Sequence, residues 1–138
     1  MASGVYNQFK YQVLKKLIDL SADTIKVALL DSSHAFDADS TNWSAVSANE
    51  VSGAGYSAGG NTLASLSVTQ DDSNDRAKWD ADDSTWSSAT ITAAHAVIYD
   101  DTATDDPLIC SIDFGGNQSV AGGDFTIAWS ATGILLLA

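Results

Sequence analysis

Residues 55–59 (GYSAG) have the spacing G-x-S-x-G, in which a serine hydroxyl is raised on a sharp turn to attack a carbonyl carbon. That chemistry needs a strand-to-helix turn in a parallel sheet, with an acid and a histidine base arriving later in the chain. Ser57 would be the nucleophile and His95 the base. The residues that follow the motif, 61–70 (NTLASLSVTQ), alternate with the period of two of a strand, not the period of a helix. The expectation is therefore that the glycines form a wide loop and that no residue is catalytic.

The carboxylates offer a second chemistry. Asp37 and Asp39, Asp71, Asp72 and Asp75, Asp80, Asp82 and Asp83, Asp100 and Asp101, and Asp105 and Asp106 all present hard oxygen ligands. The best linear calcium loop begins at Asp71, with Ser73 and Asp75 at its third and fifth positions. Arg76 stands where such a loop needs glycine, and Asp82 stands in place of the bidentate glutamate. Only calcium held between two loops survives as a cofactor reading; otherwise no cofactor and no metal are expected. His34, His95 and the single cysteine, Cys110, are too few for the usual zinc sites. Glu50, the lone glutamate, precedes the glycine-rich run and reads as a cap on loop amides. Trp79 and Trp129 lie on alternating patterns and read as core. Trp43 lies in a polar stretch and reads as an exposed contact residue, together with Ile134 and Leu136 near the C-terminus.

The elements that position these groups are legible from periodicity. Residues 4–20 carry Val5, Phe9, Val13, Leu17 and Leu20 at spacings of three and four, widened by Tyr6, Leu14 and Ile18. They predict one amphipathic N-terminal helix, with Ser3 as its N-cap and Lys10, Lys15 and Lys16 on the far face. Residues 24–138 form the β body. Strands are expected at 24–31, 61–70, 76–81, 85–86, 89–93, 96–99, 107–114, 124–129 and 134–138. In the 107–114 strand, Leu108, Cys110, Ile112 and Phe114 share one face. Residues 71–75, 100–106 and 115–123 read as turns and loops. Eight to nine short strands without interleaved helices point to a mainly β, antiparallel sandwich or barrel-like fold of jelly-roll type, in a single domain of residues 1–138.

Composition narrows the partners. The chain has 138 residues and a net charge of −12. The first 26 positions hold Lys10, Lys15, Lys16 and Lys26 against Asp19 and Asp23, a balance of +2. The remainder holds 16 acids against Arg76 and Lys78, a balance of −14. Phosphate backbones need clustered cations, so neither nucleic acid nor an anionic membrane is an expected partner. The N-terminal residues lack the charged and apolar regions of a secretory signal, and no stretch approaches the ~20 apolar residues of a membrane span. Cys110, in an apolar strand pattern, reads as a buried thiol.

Five stretches, in order along nearly the whole chain, resemble small virion proteins of tailed bacteriophages. They are VYNQFKYQVLKKLIDL, IKVALLDSSHAFD, EVSGAGYSAGGNTL, DADDSTWSSATITAAHAVIYDD and SIDFGGNQSVAGGDFTIAWSATGILLL. The resemblance implies a structural role in a particle and transfers no catalytic residue. Its leading implication is a decoration or cement protein on the outer capsid, bound to the major capsid protein or another virion protein. Such a protein would be assembled in the bacterial cytoplasm and would act as a homo-oligomer, a trimer being favoured. The alternative it implies is a tail-associated or receptor-binding module that contacts host glycans.

Overall fold

The structure, a computed structural model, describes residues 3–138. The described residues form eight strands and one short α-helix. In chain order they are β1 (Gly4–Val5), α1 (Asn7–Leu14), β2 (Ile25–Leu30), β3 (Asn61–Thr62), β4 (Ser67–Asp71), β5 (Arg76–Asp80), β6 (Ser84–Asp100), β7 (Leu108–Ile127) and β8 (Leu135–Leu137). The larger sheet has the order β1-β7-β6-β2-β3 and the smaller β4-β5-β8. Every pairing is antiparallel. The expected mainly β, sandwich-like fold with an N-terminal helix is therefore what forms, and neither sheet closes into a barrel.

The main core lies between the sheets. Ile25, Val27 and Leu29 of β2, Ile91 and Ile98 of β6 and Ile112 of β7 meet Trp79 of β5 and Ile134. Fully burying one such aliphatic side chain contributes about 1.5–3 kcal/mol. A second cluster, on the other face of the larger sheet, joins Tyr6, Ala28, Leu30, Val46, Val97, Tyr99 and Leu108. Because both faces are covered at this end, β2 reads as a nearly continuous apolar run instead of alternating.

The register explains a face that the sequence misplaces. Ile98 pairs with Cys110, but Tyr99 pairs with Leu108, so Ile109 is an extra residue on β7. Its carbonyl instead accepts the Tyr6 amide at 3.1 Å. This bulge turns Leu108 onto the face of Tyr6 and Tyr99, away from Cys110 and Ile112. The expected common face of Leu108, Cys110, Ile112 and Phe114 is thus split.

Four further expectations need correction. The single strand expected over 61–70 is two, β3 and β4, which lie in different sheets. The helix spans Asn7–Leu14, not 4–20. Gly4 and Val5 are drawn into the sheet opposite Ser111 and Cys110, which makes Tyr6 the N-cap and not Ser3. At the other end Lys16 takes a left-handed conformation (φ 59°) that stops the helix. The three short strands expected over 85–99 are one strand, β6, carrying irregularities at Trp86/Ala89 and Ala93/His95. Residues 115–123, expected as a loop, belong to β7, where residues 118–121 pair with Thr90–Ala93 of β6.

Candidate functional site

The glycine-rich segment is held down rather than poised. Glu50 Oε1 accepts the Tyr56 hydroxyl at 2.8 Å and the Gly59 amide at 2.6 Å. The Tyr56 oxygen accepts the Leu29 amide at 3.0 Å, and the Tyr99 hydroxyl donates to the Gly59 carbonyl at 2.7 Å. Burial pushes both phenols far above their ordinary range, so both remain protonated donors. Gly60 passes so close to β2 that a Cβ there would lie 2.0 Å from the Val27 carbonyl oxygen, and its φ is 82°. Glycine is required by both constraints. Glu50 caps a loop amide, as the sequence suggests.

Ser57 sits exposed in this loop, and its carbonyl accepts the Gly60 amide. The His95 ring lies elsewhere in the bonding pattern. It meets His34 edge-on at 5.1 Å between centroids, and its Nδ1 is 3.9 Å from Asp113 Oδ1. Among the described residues no hydrogen bond joins Ser57 to His95. The sheet is antiparallel, and the motif runs into the short strand β3, so the nucleophile-elbow geometry does not form.

The acids are mostly engaged in their own turns. Asp71 accepts Asn74 Nδ2 through both oxygens and pairs with Arg76 Nε at 2.9 Å. The Asn74 bond, then the Arg76 bond, hold its carboxyl below the usual range. Among the described residues no group of three or more His, Cys, Asp or Glu side chains is arranged to hold a metal ion. Asp100, fully buried, is the most perturbed carboxyl. Its Oδ1 accepts the Thr102 and Ala103 amides at 2.8 and 3.0 Å, and its side chain meets that of Asp23. Burial first, and then Asp23, raises its pKa to about 6. Burial likewise lowers the pKa of His34, reinforced by His95, and raises that of Cys110 to about 12. The thiol is buried and inert.

The predicted contact residues fare unequally. Trp43 is half-buried and stacks on Tyr99 with ring centroids 4.8 Å apart and planes 10° from parallel, so one of its faces is covered. Ile134 is fully buried in the main core, a correction to its assignment as an exposed contact. Its amide donates to the Trp79 carbonyl at 2.7 Å, which draws the chain inward just before β8. Leu136 is exposed, as expected. Trp79 and Trp129 are both core, and their indole N–H groups reach the Leu20 and Asp82 carbonyls.

Two apolar surfaces remain uncovered. The first is the far end of α1 and the residue turn after it, where Tyr11, Leu14 and Leu17 are 55, 88 and 52% exposed. Lys15 lies over the Tyr11 ring, and among the described residues none of Lys10, Lys15 and Lys16 lies within 4 Å of a carboxylate oxygen. The second is the small sheet. Val68, Leu136 and Leu137 are 53, 43 and 75% exposed. The pairing places Val68, Trp79 and Leu135 in one row and Gln70, Ala77 and Leu137 in another on the same face. Leu136 projects with Thr69 and Lys78 from the opposite face. Sequence reading finds the leucines of both surfaces but pairs those of the helix with the core, because spacing alone does not tell which stripe is covered.

Comparisons with protein-family models, with curated proteins and with solved structures return no match to this chain.

Proposed function

We propose that this chain is a non-catalytic structural protein of a tailed-phage virion, a decoration or cement protein that binds the outer capsid as a homo-oligomer. The observation that carries the reading is the concentration of uncovered apolar side chains on two surfaces, α1 and the β4-β5-β8 sheet. Uncovered large apolar side chains grouped on an element mark candidate contact sites on other proteins. The polar groups that suggested chemistry serve the fold instead: Glu50 clamps a loop, and Asp71 closes a turn. The five stretches that resemble small virion proteins supply the particle. A −14 body keeps free copies apart until a specific contact forms. Nothing in the site favours the tail-tip, glycan-binding alternative, since Trp43 turns one ring face onto Tyr99.

The test is quantitative mass spectrometry of purified virions. A decoration protein is present in numbers comparable to the capsid subunit, whereas a tail component is present in a few copies. Absence from the particle overturns the reading.

A further inference from the structure

Asp100 ends β6 with its side chain fully buried. Its Oδ1 accepts the Thr102 and Ala103 amides, but its Oδ2 is buried with no hydrogen-bond donor among the described residues. The side chain it meets is another carboxyl, that of half-buried Asp23. Two ionised carboxylates offer each other only acceptors, and out of water they repel. One proton between them turns the same contact into a charge-assisted O–H···O⁻ hydrogen bond. The folded pKa of Asp100, raised to about 6 by burial and then by Asp23, agrees with a proton held at this place.

The other charged groups at this end of the molecule do not replace that proton. Lys26 of β2 pairs with Asp101 at 3.3 Å. Asp19 Oδ1 accepts the amide and the hydroxyl of Ser21 at 2.9 and 2.6 Å. Asp105 and Asp106, on the turn between β6 and β7, add only negative charge. Among the described residues no Lys, Arg or His lies within 4 Å of a carboxylate oxygen of Asp23 or Asp100.

Asp23 belongs to a turn that is closed on itself. The Asp19 carbonyl accepts the Ala22 and Asp23 amides at 3.2 and 2.9 Å, and Asp23 Oδ2 accepts the Asp19 amide at 2.9 Å. Residues 19–23 therefore form one small body, with Leu20 packed on the main core. Its polar ties run to both sheets. The Leu20 carbonyl accepts Trp79 Nε1 of β5 at 2.9 Å. Thr24, which follows, donates its amide to Thr102 Oγ1 at 2.8 Å and accepts the Asp101 amide at 2.9 Å. Asp23 adds the contact to Asp100 at the end of β6. Of these ties, only the carboxyl contact depends on a hydrogen that leaves near neutral pH.

We propose that one proton shared between Asp23 and Asp100 latches the 19–23 turn onto the end of β6, and that its loss lets the turn part from both sheets. The latch is closed in acid and opens as pH rises through about 6, where Asp100 gives up its proton. Ile18, buried just upstream, keeps its place, so the opening is local and α1 is not released. The device is a property of the folded chain and stands apart from any role in a particle.

Hydrogen exchange of the full chain, followed by NMR and expressed as protection factors, tests the latch. The Asp23, Thr24 and Asp101 amides and the Trp79 indole N–H are expected to lose protection about tenfold or more between pH 5 and pH 8. The Ala28 and Val97 amides, paired in the middle of β2 and β6, should still outlast them about a hundredfold at pH 8, which marks the opening as local. Asp100→Asn and Asp23→Asn each keep a hydrogen in the contact at any pH, so each should retain its pH 5 protection at pH 8. The Ala28 and Val97 amides report that both variants are folded. A purely structural role for these carboxyls would instead lower protection at both pH values in the variants. Turn amides that stay protected to pH 8 in the wild type, or that exchange there no faster than Ala28 and Val97, would overturn the latch. So would variants that keep the wild-type pH dependence. Protection restored at pH 8 by calcium chloride would show that a cation, and not a proton, bridges the two carboxyls, and would overturn it as well.

Discussion

Glu50 and Tyr56 form the clasp of the glycine loop: the tyrosine hydroxyl donates to the Glu50 carboxylate at 2.8 Å while its oxygen accepts the Leu29 amide of β2. Glu50→Ala leaves that hydroxyl and the Gly59 amide without their acceptor. Hydrogen bonds to a charged group contribute about 1.5–3 kcal/mol each, so a loss of roughly 3 kcal/mol is expected in urea unfolding. Ser57→Ala, in the same loop, should stay within about 0.5 kcal/mol of wild type. A collapse of stability in the serine variant would show that Ser57 has a partner the fold does not reveal.

The glycines of this protein divide into two kinds, and alanine distinguishes them. Gly60→Ala would drive a Cβ to 2.0 Å from the Val27 carbonyl oxygen at φ 82°, and should cost about 4 kcal/mol or prevent folding. Gly122 also has positive φ (63°), but open space surrounds it. Gly122→Ala should cost only the left-handed backbone penalty, about 1 kcal/mol. Thermal melts of the two variants, read side by side, check the contrast.

The buried carboxyl of Asp100 gives a pH signature. Its folded pKa, about 6, lies above the unfolded carboxylate value. Its contribution to stability is therefore full below pH ~4 and is lost as pH rises through about 6. Asp100→Asn keeps an acceptor for the Thr102 and Ala103 amides and presents an N–H to Asp23. The variant should gain about 1–2 kcal/mol over wild type at pH 8 and little or nothing at pH 4. Equal melting shifts at both pH values would contradict the raised pKa of the buried Asp100.

His34 acts with the opposite sign. Burial, reinforced by His95, depresses its folded pKa below the unfolded value of about 6.5. Its contribution is present above that value and is lost as pH falls through the folded pKa. His34→Phe should therefore flatten the loss of stability below pH ~6 while leaving the melt at pH 8 nearly unchanged. Urea titrations at pH 5 and pH 8 decide it.

Much of the fold is legible in the chain because burial leaves an apolar signature, a continuous run where both faces are covered, as in β2, and an alternation where one is. Residues 24–31 and 76–81 foretell β2 and β5 to within a residue, since β-branched and aromatic residues there meet a core. Trp79 and Trp129 are recognisable as core for the same reason. Residues 115–123 mislead because glycine, serine and asparagine compose both loops and exposed strands, and the feature that makes them strand, the partner β6, is distant in sequence. The helix misleads at both ends. Val5 has helical spacing but is captured by Cys110, and the stop at Lys16 is a left-handed residue of a type that rarely adopts that conformation. Ile134 shows the limit for the contact surface: its neighbours Leu136 and Leu137 are open, and only the hydrogen bond to Trp79 turns it inward.

The proposed decoration role, many copies of this chain bound to a capsid, is decided by quantitative mass spectrometry of purified virions. A decoration protein is expected at a fixed ratio to the major capsid protein, on the order of one oligomer per capsomer. Particles that contain none of it, or only a handful of copies, would rule that role out.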